Sequence, residues 1–368
     1  MKEDFLSARL HDRQMAGNLR SLPDSRDLCD FVSNDYLGLA ANTALWTRIK
    51  ERYGQLGPYP NGGTGSRLLS GNHRLYQEVE DQLKGVFQAE AVLLFNSGYA
   101  ANQAVVSSVA EKGDTIIYDQ LSHVCLKEGA WLSRAQTVAF RHNDPDDLRM
   151  RLQQASGRVF VVTETIFSMD GDVAPLAEIV ALCEEFGAYL IIDEAHSTGV
   201  AGKDGSGLLV EMGLHQRVFA RVYTFGKGMG VHGACVAGSL ALRDYLVNFG
   251  RPFIYTTSLP PHSVLSIGES FLYLAENMQL QQDLQDKINL FKTHYPKYVS
   301  DTAIQPVMIG SNEKARAVSL QLQEQGFDVR PILSPTVQRG KERLRVSLHV
   351  YNTEKEIMEI ADKILKVI

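Results

Sequence analysis

Between residues 73 and 238 short apolar runs alternate with helical patterns, and that alternation constrains the fold more than any other feature of the chain. Helical spacing over 73–87 gives way to the run Ala91–Phe95, and a helix start follows Ser97. Then come a strand at Thr115–Asp119, a helix opening at Ser122-His123, a strand at Thr137–Phe140 and a polar helix after Pro145. The run Arg158–Thr165, a helix from Pro175 and the run Tyr189–Ile192 continue the order. Strands separated by helices make parallel sheets, because a crossover helix returns the chain to the same end. In such open sheets ligands bind outside the carboxyl ends of the strands, so the strand exits are where chemistry is expected.

Two exits carry reactive groups. The run ending at Ile192 leads into Asp193-Glu194-Ala195-His196, a carboxylate and an imidazole. The run Val222–Thr224 leads into Phe225-Gly226-Lys227-Gly228-Met229-Gly230. A lysine among glycines lets backbone pack against a flat ligand, and desolvation there lowers its pKa and makes the amine nucleophilic. A surface lysine in a flexible loop has the same local signature; the upstream Asp and His are what point to a shared pocket. Pyridoxal phosphate (PLP) needs these groups, since a lysine holds it as a Schiff base and a carboxylate keeps its ring nitrogen protonated. Lys227 and Asp193 fit those two tasks.

The other exits are compatible with this reading. Ala91–Phe95 ends in Asn96-Ser97-Gly98-Tyr99, where a strand, Ser-Gly and a helix start form a phosphate cradle. Ser97 serves equally well as a helix N-cap, and both uses are compatible. Asn34, at the turn of Phe31–Leu39, is a turn former or a ligand donor, and the glycine-rich stretch from Gly57 to Gly71 is too long for a mere connection. His123 and His196 sit at element boundaries beside the expected pocket, whereas His11, His142, His215 and His294 lie in polar surroundings.

At 368 residues with 44% apolar side chains, the chain suits a large domain and a smaller one. The divisions are expected at an N-terminal arm (1–45, with an amphipathic helix over 3–20), a large domain (46–275) and a small C-terminal α+β domain (276–368). A long helical region over 262–294 leads into the last, with the hinge expected within 276–300. Strands near 304–309, 328–333 and 343–348 and helices over 312–325 and 353–366 build it. The formal charge of −6, with 37 basic and 43 acidic residues and no basic block, argues against nucleic acid. Cys29, Cys125, Cys183 and Cys235 form no Cys-x-x-Cys pair, so no metal site or disulfide framework is expected. No signal-peptide core and no membrane-length apolar run appear, and a cytoplasmic protein is expected.

Several competing motifs fail. Asp193-Glu194-Ala195-His196 has the letters of a helicase box, but no G-x-x-x-x-G-K-[ST] phosphate loop exists to serve it. Gly228–Gly233 matches G-x-G-x-x-G, yet a β-like run follows where a dinucleotide site needs a helix. No G-x-S-x-G elbow and no H-E-x-x-H occur.

In order, Asn34, Ser97-Gly98-Tyr99, His123, Ser168, Asp193, His196, Thr224 and Lys227 resemble the α-oxoamine synthases, PLP-dependent enzymes of fold type I. Ser168-Met169-Asp170-Gly171-Asp172, Tyr255-Thr256-Thr257-Ser258-Leu259-Pro260-Pro261 and Arg343-Leu344-Arg345 continue the match in register. The lysine loop Thr-Phe-Gly-Lys-Gly-Met-Gly-Val-His-Gly-Ala is most similar to the branch serving biotin synthesis. The resemblance implies a mainly parallel α/β sheet flanked by helices with a smaller α+β domain. It implies Lys227, His123, Asp193 and His196 as catalytic residues: Lys227 bonds the cofactor, Asp193 pairs with its ring nitrogen, His123 stacks on the ring, and His196 with Ser168 faces its phenolic oxygen. Ser97, Gly98, Tyr99 and Thr224 would hold the phosphate, with Thr256 and Thr257 arriving from the second subunit of a homodimer. Arg345 would pair with the amino acid's carboxylate, assisted by Asn34, and Arg20 would read negative charge on the acyl donor.

The implied reaction joins L-alanine to a pimeloyl thioester, carried by coenzyme A or a carrier protein, with loss of carbon dioxide. A sister enzyme using glycine or L-serine, and a non-catalytic binding subunit, are the alternatives. The sequence departs from the family pattern at Tyr76, at Val124-Cys125 and at Asn352.

Overall fold

The computed structural model describes residues 3–22, 27–297 and 300–368. The chain opens with helix α1 (Asp4–Met15), strand β1 (Cys29–Asp30) and helices α2 (Thr43–Gln55) and α3 (Arg74–Phe87). Strand and helix then alternate through β2 (Ala91–Phe95), α4 (Gly98–Val109), β3 (Thr115–Asp119), α5 (Val124–Leu132), β4 (Gln136–Phe140), α6 (Pro145–Gln154), β5 (Val159–Glu164), α7 (Leu176–Phe186) and β6 (Tyr189–Asp193). A single turn, α8 (Leu208–Glu211), precedes β7 (Ala220–Thr224) and β8 (Ala234–Gly238). Helices α9 (Leu240–Phe249), α10 (Arg251–Ile254), α11 (Pro261–Glu276) and α12 (Gln279–His294) follow. Last come β9 (Ile304–Met308), α13 (Asn312–Glu324), β10 (Phe327–Asp328), β11 (Arg330–Ile332), β12 (Arg343–Ser347) and α14 (Glu354–Val367).

These elements form two compact units. The larger holds Asn34–Ser168 and Val173–Gln282; the smaller holds the residues up to Ser33, Met169–Asp172 and Asp283–Ile368. The sequence reading places its divisions after residues 45 and 275, whereas the structure changes unit after Ser33 and Gln282 and assigns 169–172 to the smaller unit.

The larger unit is built on a seven-stranded sheet of order β2-β8-β7-β6-β5-β3-β4. β3 to β7 pair in parallel. The sequence order implies that Ala234–Gly238 completes this sheet; it does so reversed, antiparallel to both β7 and β2. The reason is local, since β8 is joined to β7 by a hairpin, and a hairpin can only make an antiparallel pair. Two reversals cancel, so β2 runs with β7 and its carboxyl end lies on the same rim as those of β5, β6 and β7.

The strands read as continuous apolar runs because both sheet faces are covered. Ile116, Phe160, Val162 and Ile191 pack with Ala101, Val105 and Val106 of α4 and Leu126 of α5. Their neighbours Ile117, Val161, Leu190 and Ile192 pack on the opposite face with Leu148 of α6 and Ile179 and Val180 of α7. The period of two puts successive residues into different cores.

The helical region expected over 262–294 is broken between Glu276 and Gln279. Asn277 leaves helical geometry (φ −128°, ψ 43°) and its Nδ2 donates to the Tyr273 carbonyl at 2.8 Å. A side chain that offers the backbone a local alternative interrupts the ladder there.

The smaller unit has a three-stranded antiparallel sheet, β11-β12-β9, and a parallel pair of β1 with β10. Its last helix, α14, starts from a reciprocal cap between Thr353 and Glu356. Helix α1 is shorter than expected and buries no residue within the chain; Phe5, Leu10 and Met15 are exposed. Among the described residues no helix is long and apolar enough to cross a membrane.

Candidate active site

Lys227 projects from the β7–β8 hairpin. Backbone bonds from Phe225 N to Gly233 O and from Val231 N to Phe225 O, each 3.0 Å, and from Gly230 N to Lys227 O, 2.8 Å, fix the loop. Gly230 has φ +64°, and a Cβ there would stand 2.3 Å from the Ala40 amide nitrogen, so only glycine fits. The loop is also held from behind, where Ser270 Oγ donates to the Met229 carbonyl at 2.6 Å.

On the neighbouring strand, β6 ends at Asp193, which is buried. Its Oδ1 accepts from Ala195 N at 2.8 Å and its Oδ2 from Asn102 Nδ2 at 2.6 Å. His196, also buried, bridges two partners: its Nε2 lies 2.8 Å from Lys227 Nζ and its Nδ1 2.7 Å from Tyr36 Oη. Tyr36 donates its phenolic proton to Asn34 Oδ1 at 3.0 Å. A phenol has one proton, so His196 Nδ1 donates to Tyr36 and, in the neutral ring, Nε2 is left to accept from Lys227. The row Asn34, Tyr36, His196, Lys227 therefore hands hydrogen bonds along one direction.

His123 stands before α5. Its backbone N–H donates to Glu164 at the end of β5, and its Nδ1 lies 2.9 Å from Cys125 Sγ and accepts from Cys125 N at 3.3 Å. Burial lowers the His123 pKa; the Lys227 and Lys127 charges lower it further against the opposing charge of Asp193. Glu164 is fully buried, and desolvation, with the Asp193 charge added, raises its pKa to about 8.

The helix start at α4 has the form of an anion site. Ser97 is the N-cap and its Oγ accepts from Ala100 N at 3.2 Å, while the amides of Gly98 and Tyr99 have no intrahelical acceptor. Thr224, at the end of β7, closes in on Gly98 so tightly that a Cβ there would be 2.1 Å from its Oγ1. Thr256 and Thr257 lie beside the end of β2, where Asn96 Nδ2 donates to Thr256 Oγ1 at 3.3 Å and to the Thr257 carbonyl at 2.6 Å. Tyr99 turns its hydroxyl to Glu128, which raises its pKa to about 12.

Asn34, Ser97, Gly98, Tyr99, His123, Ser168, Asp193, His196, Thr224, Lys227, Thr256 and Thr257 all belong to the larger unit. Ser168 is half-buried just past β5. Arg20 and Arg345 belong to the smaller one, where Arg20 donates to Thr336 Oγ1 at 3.1 Å and Arg345 to Ser347 Oγ at 2.8 Å. Two of the departures from the family pattern have structural work: Tyr76 donates to the Leu259 carbonyl at 3.2 Å, and Asn352 Oδ1 accepts from His349 N at 2.9 Å. Tyr36, Asn102 and Glu164 were not singled out from the sequence. For Asn102 a signal existed, since an asparagine inside Ala100-Ala101-Asn102-Gln103-Ala104-Val105-Val106 must find a partner if buried.

The chain matches known proteins along nearly its whole length. The profile of the family described as aminotransferase class I and II matches residues 26–364. The 8-amino-7-oxononanoate synthase of Emericella nidulans is 39% identical over 376 aligned positions, covering 95% of this chain and 91% of the relative. Among solved structures, serine palmitoyltransferase from S. paucimobilis, determined with bound PLP and myriocin, superposes with a TM-score of 0.88 at 27% identity, covering 100% of this chain and 97% of that one. The 8-amino-7-oxononanoate synthase of Francisella tularensis superposes with a TM-score of 0.79 at 27% identity, covering 92% of this chain and 97% of that one. By the profile match, the full-length identity and the shared fold-type I architecture, the chain belongs to the aminotransferase class I and II family, in its 8-amino-7-oxononanoate synthase group.

Proposed function

We propose that this chain is the PLP-dependent synthase that condenses L-alanine with a pimeloyl thioester to give 8-amino-7-oxononanoate, carbon dioxide and the free thiol of the acyl carrier. The observation that carries the reading is the 2.8 Å approach of Lys227 Nζ to His196 Nε2, beside the buried carboxylate of Asp193. The residues fit the cofactor: an amine to bond an aldehyde, a buried acid to keep a pyridine nitrogen protonated, and a glycine cleft at a helix start for a phosphate. When bound, PLP supplies an electron sink for the charge released at the amino acid's Cα.

The protein's own part is binding, orientation and proton transfer. Lys227 would hold the cofactor through Nζ, and the same amine, when free, would take the Cα proton and later return one. His196 Nε2 holds that amine in position, and Tyr36 with Asn34 holds His196. Asp193 would pair with the ring nitrogen, its Oδ1 and Oδ2 each already fixed by a donor. Ser97, Gly98, Tyr99 and Thr224 take the phosphate, and His123 and Ser168 border the ring. Arg345 reads the substrate carboxylate as a planar bidentate donor, and Arg20 reads negative charge on the acyl donor. The chain works as a homodimer, with Thr256 and Thr257 reaching the phosphate of a second copy.

A second reading has a specific support, the higher TM-score to serine palmitoyltransferase, whose own name gives serine and a palmitoyl group. The test is the visible absorbance of the PLP-loaded protein titrated separately with L-alanine, glycine and L-serine, followed by turnover with pimeloyl-CoA and with pimeloyl carrier protein. A response chiefly to L-alanine with pimeloyl turnover supports the proposal. A response chiefly to L-serine with long-chain acyl turnover overturns it in favour of the second reading.

A further inference from the structure

The function just described gives no part to Cys125 or to the bonds by which it links Asn102 to His123. Asn102, on α4, donates through Nδ2 both to Asp193 Oδ2 at 2.6 Å and to Cys125 Sγ at 3.4 Å. Cys125, on α5, lies with its Sγ 2.9 Å from His123 Nδ1 and donates its backbone N–H to the same nitrogen at 3.3 Å. Asn102 and Cys125 are almost fully buried, with 1% and 2% exposure, so water does not compete for these bonds.

The direction of each bond is fixed by its donor. A backbone N–H and an amide NH₂ only donate, so His123 Nδ1 accepts from Cys125 N and Cys125 Sγ accepts from Asn102. Burial, with the charge of Asp193 added, raises the thiol pKa and keeps the proton on sulfur. That proton points to the remaining acceptor, His123 Nδ1. With the one lone pair of Nδ1 shared by two donors, the ring proton sits on Nε2.

We propose that Asn102 and Cys125 are positioning residues that hold His123 as a neutral, Nε2-protonated ring and tie its orientation to Asp193. The series Asp193, Asn102, Cys125, His123 runs from β6 through α4 and α5, so the acid and the imidazole cannot rotate independently. The charged groups facing His123 are Asp193, Lys227, Lys127 and Glu128; Glu164 receives its backbone N–H, and Tyr99 meets the ring edge-on at 6.4 Å between centroids. Without the thiol proton, Nδ1 keeps only the longer bond from Cys125 N, at 3.3 Å, and takes up a proton more readily in answer to Asp193 and Glu128. The inference rests on His123 bordering the cofactor, as proposed above, but its readout needs no turnover.

The test is ¹⁵N NMR of histidine-labelled, PLP-loaded protein, with the His123 signals assigned by their loss in His123→Gln, followed across the pH range in which a free histidine titrates. The wild type is expected to show an unprotonated Nδ1, a protonated Nε2 and a titration midpoint below the ordinary histidine range. Cys125→Ser keeps a donor and is expected to leave both unchanged; Cys125→Ala is expected to mix the tautomers and shift the midpoint upward. In turnover, the acid limb of the kcat profile moves with the alanine variant and not with the serine variant. A wild-type ring protonated on Nδ1, an alanine variant indistinguishable from wild type, or a serine variant altered as much as alanine overturns the proposal. Should the alanine variant not fold, the wild-type spectrum alone decides. Failure of the protein to take up PLP would sink the functional reading, while the same spectrum of the cofactor-free protein would still judge this one.

Discussion

Lys227 Nζ and His196 Nε2 lie 2.8 Å apart although their side chains leave different strands, one past the end of β7 and the other past the end of β6. The parallel pairing of Asp193 with Val222 sets both exits on one rim. The tautomer imposed by Tyr36 makes His196 an acceptor toward the amine, so the pair is a proton-sharing unit rather than two adjacent side chains.

Lys227→Arg is therefore expected to keep the charge and lose the reaction. Guanidinium neither bonds an aldehyde nor gives up a proton near neutrality. Turnover should fall by about 10²–10⁴-fold, the usual worth of a positioned acid–base group. Borohydride reduction followed by peptide mapping should label Lys227 in the wild type and leave the variant unlabelled.

Asp193→Asn should fold, because its one amide oxygen still accepts from Ala195 N, and Asn102 can turn its amide so that Oδ1, a buried atom with no partner among the described residues, accepts from the new NH₂. What it removes is the carboxylate that the proposed function pairs with the cofactor's ring nitrogen. A loss of about 10²–10³-fold in kcat is expected, comparable to removing one preorganised electrostatic partner. Hydrogen–deuterium exchange at the Cα of L-alanine isolates the affected step; normal exchange in the variant would refute the assignment.

Gly98→Ala probes the cleft. Its Cβ would meet Thr224 Oγ1 at 2.1 Å and that residue's carbons at 3.2 Å, so the threonine must move away from the helix start. Overpacking of this kind costs about 1–3 kcal/mol, or roughly a 5- to 150-fold weaker affinity for PLP. Equilibrium titration of the cofactor-free protein measures it.

Glu164 makes stability depend on pH in a stated direction. Its pKa is raised by burial from 4.5 to about 8 in the folded chain, so over that window the folded state holds a proton that the unfolded state has lost. Stability from this group is full below about pH 4.5 and declines as pH rises toward about 8. Denaturant titrations of cofactor-free protein should show that slope in the wild type and a flatter one in Glu164→Gln.

Arg20→Ala should raise the KM for the acyl donor and leave the L-alanine response of the spectrum alone. Arg20 is exposed and its recorded bond, to Thr336 Oγ1, is an ordinary one, so little stability is at risk. An unchanged acyl-donor KM would remove Arg20 from the site.

Much of this was legible in the sequence because period and turn chemistry are local. The runs ending at Phe95, Glu164 and Asp193 are strands, and Ser97 caps α4 as its position before Gly98 implies. What was not legible depends on pairing between distant segments. The reversal of Ala234–Gly238 follows from the hairpin at Lys227, which a glycine-rich stretch does not reveal by itself. The roles of Tyr36 and Asn102 are invisible for the same reason: each reaches the site through a bond to a side chain 160 or 91 residues away. The break after Glu276 is set by one asparagine whose neighbours all read as helix.

The placing of β8 between β7 and β2 also fixes a schedule for biosynthesis. β2 and Ser97 leave the ribosome early, yet the one sheet neighbour of β2 is β8, made after every other strand of that sheet. A nascent chain paused at Thr224 carries most of the site's side chains but has no strand to join Ser97 to Thr224. Domains usually fold as units as they emerge, and pairing across long sequence separations is slow. On the proposed site, the newborn protein cannot close the phosphate cleft until Gly238 is clear of the exit tunnel, and a fragment ending before β8 cannot sequester the vitamin.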